Sequence, residues 1–242
     1  AWCPPGHGDL YTALLTSGVL EQLIDHGYEH AFVSNSDNLG AVIDPAILGH
    51  MIHDELPFLM EVADRTPADK KGGHLARRAA DGRLVLREIA QCPDDDLDTF
   101  QDIARHRYFN TNSLWLHLPT LQRVLADNDG ILGLPMIRNG KTLDPRDADS
   151  VKVWQLETAM GSAIEVFEGA GAIRVPPTRF APIKKCSDLL DVRSDNFVLT
   201  DDHRVVPNPE RKLGRCVVTL DDRYYKFVDD LDARFPHGPP SM

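Results

Sequence analysis

The stretch Ala31-Phe32-Val33-Ser34-Asn35-Ser36-Asp37-Asn38-Leu39-Gly40 changes character in its middle. Ala31, Phe32 and Val33 read as a buried strand, and five short polar residues follow without a break. In open α/β sheets ligands gather beyond the carboxyl ends of the strands, so a strand ending this way is a place for a nucleotide and a metal. Asp37 offers the hard oxygen that Mg²⁺ takes, usually from one or two carboxylates, with phosphate and water in its other positions. The same residues also suit an Asx turn and the cap of a following helix.

On either side of this stretch, helix and strand signals alternate. Before it, Asp9 is an N-cap for a helix carried by Leu10, Leu14, Leu20, Leu23 and Ile24 and stopped by Gly27. After it, Asp44-Pro45 restarts a helix that runs through Ile47, Leu48, Met51 and Ile52 to about Leu56, and Phe58 to Ala63 is a strand. His50 and His53 on that helix lack a third metal ligand. Lys70-Lys71-Gly72-Gly73-His74 is a loop, and Asp81-Gly82 announces a hairpin between Leu75 to Ala79 and Leu84 to Ile89. Asp94-Asp95-Asp96 supplies favourable charge at the start of the next helix. Tyr108 to Leu116 is a strand, Pro119 to Ala126 a helix, and Asn139-Gly140 within Met136 to Leu143 a second hairpin signal. Val153 to Phe167 reads as a helix, with Leu156, Met160, Ala163, Ile164 and Phe167 on one side. Gly171 to Val175 is a short strand, and from Phe197 on the prolines leave strands and loops. The pattern predicts an α/β fold with a mixed, mostly parallel sheet and helices on both faces.

At 242 residues the chain can bury a sizeable core. Its 37 acidic and 26 basic residues give a net charge of -11, which excludes a broad nucleic-acid or anionic-membrane surface. Phosphate must therefore be met by a few lysines, backbone amides or a metal. Cys3, Cys92, Cys186 and Cys216 are scattered and form neither a zinc ribbon nor a disulfide framework, so a reducing cytoplasm is the expected setting. No apolar run reaches the roughly 18 residues of a membrane span. Oligomeric state is left open by the sequence.

Four further stretches carry chemistry. In Pro4-Pro5-Gly6-His7-Gly8-Asp9, two glycines let a ligand approach the backbone around one imidazole at a helix mouth. Glu88, at the end of the hairpin strand, can accept from sugar hydroxyls. In Phe109-Asn110-Thr111-Asn112, a strand sends Asn110 and Asn112 to one face as two amides for a polyhydroxy ligand. Lys184 follows the proline-stiffened Arg179-Phe180-Ala181-Pro182-Ile183 and can hold an ammonium against a phosphate. Each also has a plain reading, as helix entry, surface glutamate, turn or solvated lysine.

Taken in order, Trp2 to Asp9, Phe32 to Gly40, Lys70 to Leu75, Glu88 to Gln91, Phe109 to Trp115, Gln155 to Ile164 and Arg179 to Leu190 form a set. Their sequence resembles the eukaryotic-type UTP–glucose-1-phosphate uridylyltransferases, also called UDP-glucose pyrophosphorylases, from Trp2 to Pro240. The resemblance implies a Rossmann-like nucleotidyltransferase domain and a Mg²⁺-dependent, reversible reaction of UTP with glucose 1-phosphate to UDP-glucose and pyrophosphate. It implies that Gly6, His7, Asn35, Ser36 and Asp37 bind the nucleotide, with Asp37 also on the metal, and that Lys184 meets the phosphates as the catalytic lysine. Gly73, Glu88, Asn110 and Asn112 resemble sugar-contacting positions. Lys185 stands where a small residue is expected, so one or two ammonium groups face the ligand. The glycine-rich triphosphate loop and the left-handed β-helix of the family have no counterpart here. The resemblance thus implies a central fragment, with 1–196 as the nucleotidyltransferase domain and 197–242 leading toward the β-helix.

In this chemistry the sugar phosphate oxygen attacks the α-phosphorus in line with departing pyrophosphate, and alignment and charge neutralisation do the catalysis. Three alternatives stand beside it. One is a pyrophosphorylase for an N-acetylhexosamine or galactose phosphate, another a nucleotide-sugar binding module without catalysis, and the third a metal-dependent glycosyltransferase.

Overall fold

The computed structural model describes residues 4–66, 72–214 and 216–242. Trp2 and Cys3 of the first motif and Lys70 and Lys71 of the glycine loop lie outside the described residues. The opening helix is divided in two, α1 (Leu10–Thr16) and α2 (Val19–Asp25), at Gly18. Its φ of 74° is a left-handed conformation that glycine enters without steric cost. β1 (His30–Val33) follows, and Asp44 caps α3 (Pro45–His53) as expected, its carboxylate accepting the Ala46 N–H at 2.9 Å. β2 (Phe58–Asp64) leads to the hairpin of β3 (His74–Arg77) and β4 (Leu84–Arg87), which turns at Asp81-Gly82 as the sequence predicts. The acidic triplet opens a 3-10 turn before α4 (Leu97–Gln101), then come the long β5 (Tyr108–His117) and α5 (Leu118–Asp127).

β5 organises the sheet. β1, β2 and β3 all pair with it antiparallel, and the order runs β4-β3-β5-β2-β8, where β8 is Gly171–Arg174. The sheet is mixed, as expected, yet among the described pairings only β2 with β8 is parallel, so "mostly parallel" is corrected. The reason is that β5 meets three partners head to tail and β3 with β4 is a hairpin. Alternation along the strands then sorts the core. Phe58, Met60 and Val62 of β2 join Tyr11, Leu20, Leu121 and Leu125, while Leu59 joins Ile47, Met51 and Trp115. Successive side chains point to opposite faces, so α1, α2 and α5 cover one face and α3 the other.

The expected helix from Val153 to Phe167 is not one element. β6 (Met136–Thr142) and β7 (Lys152–Thr158) pair over their whole length, and Met160–Glu165 is a 3-10 turn. Asn139-Gly140 lies inside β6 opposite Gln155 and Trp154, so the hairpin turns through residues 143–151 instead. The period-2 run Val153, Gln155, Glu157 and its cross-strand partners outweigh the helix-like spacing of Met160, Ala163, Ile164 and Phe167, which is kept as core contact. Among the described residues no helix is long and apolar enough to cross a membrane.

The chain forms two compact units, Ala1–Ser34 with Asp44–Val175, and Asn35–Ile43 with Pro176–Met242. In the second unit α6 (Cys186–Arg193) packs Cys186 and Leu190 against Leu231 of α8 (Val228–Arg234). β9 (Phe197–Leu199), β10 (Val205–Pro207) and α7 (Asp222–Tyr225) belong to the same unit. The last third therefore has helices where strands and loops were expected, because Leu231 gives α8 an apolar side to bury.

His74 is buried completely at the start of β3, stacked on His106 with ring centroids 4.1 Å apart and beside Phe100. Burial, then the charges of His106, Arg65 and Arg87, push its pKa down to about 3, against a weaker pull from Asp96. The folded state thus keeps His74 neutral while the unfolded chain protonates it near the usual 6.5. Stability contributed by the neutral ring is complete above that value and is lost as pH falls from it toward 3. Urea unfolding at pH 7 and pH 5 is expected to show a fall of about 2 kcal/mol from this group. Histidine-to-glutamine substitution at position 74 removes that part of the slope, and an unchanged slope rules the assignment out.

Candidate functional site

In the first unit the helix-entry loop lies against the end of β7. Gly6 has φ 86°, and a Cβ there would stand 2.5 Å from the Glu157 Cβ and 2.7 Å from the Thr158 carbonyl oxygen. The Thr158 N–H donates to the Pro5 carbonyl at 3.1 Å, which closes the contact. His7 remains exposed, and its Nδ1 accepts from the Met160 N–H at 2.9 Å. With Nδ1 as acceptor the neutral ring carries its proton on Nε2. Partial burial lowers the His7 pKa, opposed by the Glu157 carboxylate. The loop therefore presents one neutral N–H donor.

Gly73, Glu88, Asn110 and Asn112 also come together in this unit. A Cβ on Gly73 would fall on the Glu88 carboxylate, and the Gly73 carbonyl accepts from the Asn110 N–H at 3.2 Å. Glu88 is half-buried, burial raises its pKa, and its carboxylate has no partner among the described residues. The two asparagines are not the pair of free amides expected from a regular strand. The Asn110 Nδ2 donates to the Asn112 Oδ1 at 2.8 Å, and the Asn112 backbone N–H donates to the Asn110 Oδ1 at 2.9 Å. β5 bulges here opposite Glu61 of β2, and Asn112 takes φ 57°, a conformation asparagine tolerates. One N–H of Asn110 is spent on orientation, which leaves the Asn112 NH₂ and the other Asn110 hydrogen for a ligand.

Asn35, Ser36, Asp37 and Lys184 belong to the second unit. The Ile183 N–H donates to the Asp37 carbonyl at 2.9 Å and the Leu39 N–H to the Ala181 carbonyl at 3.1 Å, around an antiparallel bridge of Asn38 with Pro182. Asp37 and Lys184 are thus neighbours through a backbone ladder. The Asp188 carboxylate accepts the N–H groups of both Lys184 and Lys185 at 2.9 Å, which fixes where the two lysines leave the chain. Lys185 pairs with Asp222 at 3.1 Å, whereas the Lys184 ammonium is exposed and has no partner among the described residues. Among those residues no group of three His, Cys, Asp or Glu side chains could hold a metal. The Asp37 carboxylate has no partner among the described residues and fits the hard oxygen donor that Mg²⁺ takes.

The family model for UTP–glucose-1-phosphate uridylyltransferase matches residues 1–242. The chain belongs to that family. It is 45% identical over 245 residues to the uridylyltransferase of Saccharomyces cerevisiae, covering 99% of this chain and 46% of the relative. It is 48% identical over 239 residues to that of Hordeum vulgare, covering 98% and 48%. A solved variant of UDP-glucose pyrophosphorylase from Leishmania major superposes with TM-score 0.89 at 50% identity, over 99% of this chain and 52% of the other. Another variant, solved in complex with UDP-glucose, superposes with TM-score 0.86 at 50% identity, over 100% and 52%. The chain spans about half the length of the curated relatives it matches.

Three residues that hold candidate positions within their own units were not singled out from sequence. Asn38 accepts the Gly40 and Ala181 N–H groups at 3.1 and 2.8 Å and donates to the Arg179 carbonyl at 3.1 Å, so it ties the Asp37 loop to the Lys184 loop. The Asx turn was the readable half of that role. Tyr11 and Gly161 are the others, and they make long-range contacts that no local pattern announces.

Proposed function

We propose that this chain carries the central ligand-binding part of an enzyme that forms UDP-glucose and pyrophosphate from UTP and glucose 1-phosphate, reversibly. The ladder between Asp37–Leu39 and Ala181–Ile183 carries the reading, because it sets on adjoining loops a carboxylate and an ammonium that have no partner among the described residues. In the reaction the bond from the sugar phosphate oxygen to the α-phosphorus forms as the bond to pyrophosphate breaks. Lys184 holds the phosphate charge, and His7 donates from Nε2 to a ligand acceptor. Asn110, Asn112 and Glu88 orient the sugar hydroxyls, Glu88 as acceptor when ionised. Asp37 would hold a Mg²⁺, which would supply further neutralisation of charge there.

Incubation of the full-length protein with UDP-glucose and pyrophosphate is expected to release UTP. A glycosyltransferase or a binding module releases none, and either result ends the proposal. Asp37→Ala is expected to flatten the dependence of that rate on Mg²⁺ concentration, and an unchanged dependence removes Asp37 from the metal.

A further inference from the structure

Met160 is held at both ends of its backbone by one short segment of the chain. Its N–H donates to the His7 Nδ1 at 2.9 Å, and its carbonyl accepts from the Tyr11 hydroxyl at 2.7 Å. Tyr11 is 1% exposed and otherwise lies in the apolar core, so its hydroxyl has been taken out of water for this one acceptor. The next residue, Gly161, abuts the sugar-side amide. A Cβ on it would stand 2.5 Å from the Asn110 Nδ2 and 2.8 Å from the Leu86 Cδ2. One stretch of backbone therefore touches His7 on one side and Asn110 on the other.

We propose that Tyr11 is a positioning residue for both His7 and Asn110, acting through the Met160–Gly161 backbone. Its relevance to catalysis rests on the nucleotide and sugar readings above. The Tyr11 O–H fixes where the Met160 peptide sits. The Met160 N–H, on the preceding peptide and joined to the Met160 carbonyl through one α-carbon, keeps Nδ1 of His7 as an acceptor, so the proton stays on Nε2, the nitrogen left for a ligand. The peptide of the Met160 carbonyl seats Gly161 behind the Asn110 amide, and a change in one place is felt in the other. Phenylalanine at position 11 fills the same volume and removes only the donor.

Imidazole nitrogen spectra of the full-length protein test this without any ligand. The unsubstituted chain is expected to show His7 as the Nε2–H tautomer. In Tyr11→Phe the tautomers mix and the protonation midpoint of His7 rises toward the ordinary histidine value, because the neutral ring loses its donor at Nδ1. UDP-glucose affinity, read by calorimetric titration, is expected to fall about tenfold. A folded Tyr11→Phe chain with the His7 spectrum and midpoint unchanged overturns the proposal. A changed spectrum with unchanged UDP-glucose affinity supports the positioning and overturns the nucleotide role of His7. Should Tyr11→Phe fail to fold, the Met160 amide shift in the unsubstituted chain is followed through the His7 titration. A shift that does not follow it overturns the proposal as well.

Discussion

Lys184→Ala in the full-length protein is expected to lower turnover by roughly 10²- to 10³-fold, the scale of removing one preorganised charge or donor from a transition state. The fold should survive, because the Lys184 side chain has no partner among the described residues and its backbone is pinned by Asp188. Lys185→Ala is the matched control. That lysine spends its charge on Asp222 in an exposed pair, worth at most about 1 kcal/mol, and its loss should leave turnover within a fewfold of normal. Steady-state rates of UTP formation for both variants decide the matter. Equal effects would mean that both ammonium groups face the ligand, and near-normal turnover for Lys184→Ala would remove it from the chemistry.

Gly6→Ala is expected to be the most damaging change of a single methyl group in the first unit. The residue sits at φ 86° with its α-carbon against the backbone of Thr158, so an alanine meets both strain and collision. Strain alone costs about 1–3 kcal/mol, and the obstructing Thr158 carbonyl cannot swing aside as a side chain could. The loop would have to lift, which draws the His7 ring off the Met160 amide. Urea unfolding should show the stability loss, and calorimetric titration a fall of tenfold or more in UDP-glucose affinity. Gly18→Ala separates the two causes. It has φ 74° but only Gln22 near at 3.9 Å, so it carries strain without collision and should leave UDP-glucose affinity unchanged. Equal losses of affinity in the two variants would refute the collision argument.

The two glycines also show why parts of this chain could be read in advance and parts could not. Asp44-Pro45 and Asp81-Gly82 were legible because a cap and a tight turn are decided by residues within a few positions of each other. That β2 and β5 are strands was legible too, but the bulge that gives Asn112 a φ of 57° was not, because it depends on the register with β2. Val153 to Thr158 differs from the expected helix because a helix-like spacing and a strand-like alternation overlap there, and β6, which the local pattern does not contain, makes the choice. The orientation of the sheet failed similarly. Helix and strand order suggested parallel neighbours, but β5 takes its partners from three separate regions of the chain.

For the candidate site, residue types and their order were enough to name Gly6, His7, Asn35, Ser36, Asp37, Gly73, Glu88, Asn110, Asn112 and Lys184. Sequence alone determined which chemical groups are present, the family to which their order belongs, and the net charge of -11 that leaves phosphate to local groups. Tertiary structure decided which of those groups are still available. Asn110 has one amide hydrogen committed to Asn112, Lys185 has its charge committed to Asp222, and His7 has its tautomer set by Met160, 153 residues away. Hydrogen bonds and ion pairs form between groups close in space, and that proximity is produced by packing rather than by spacing along the chain.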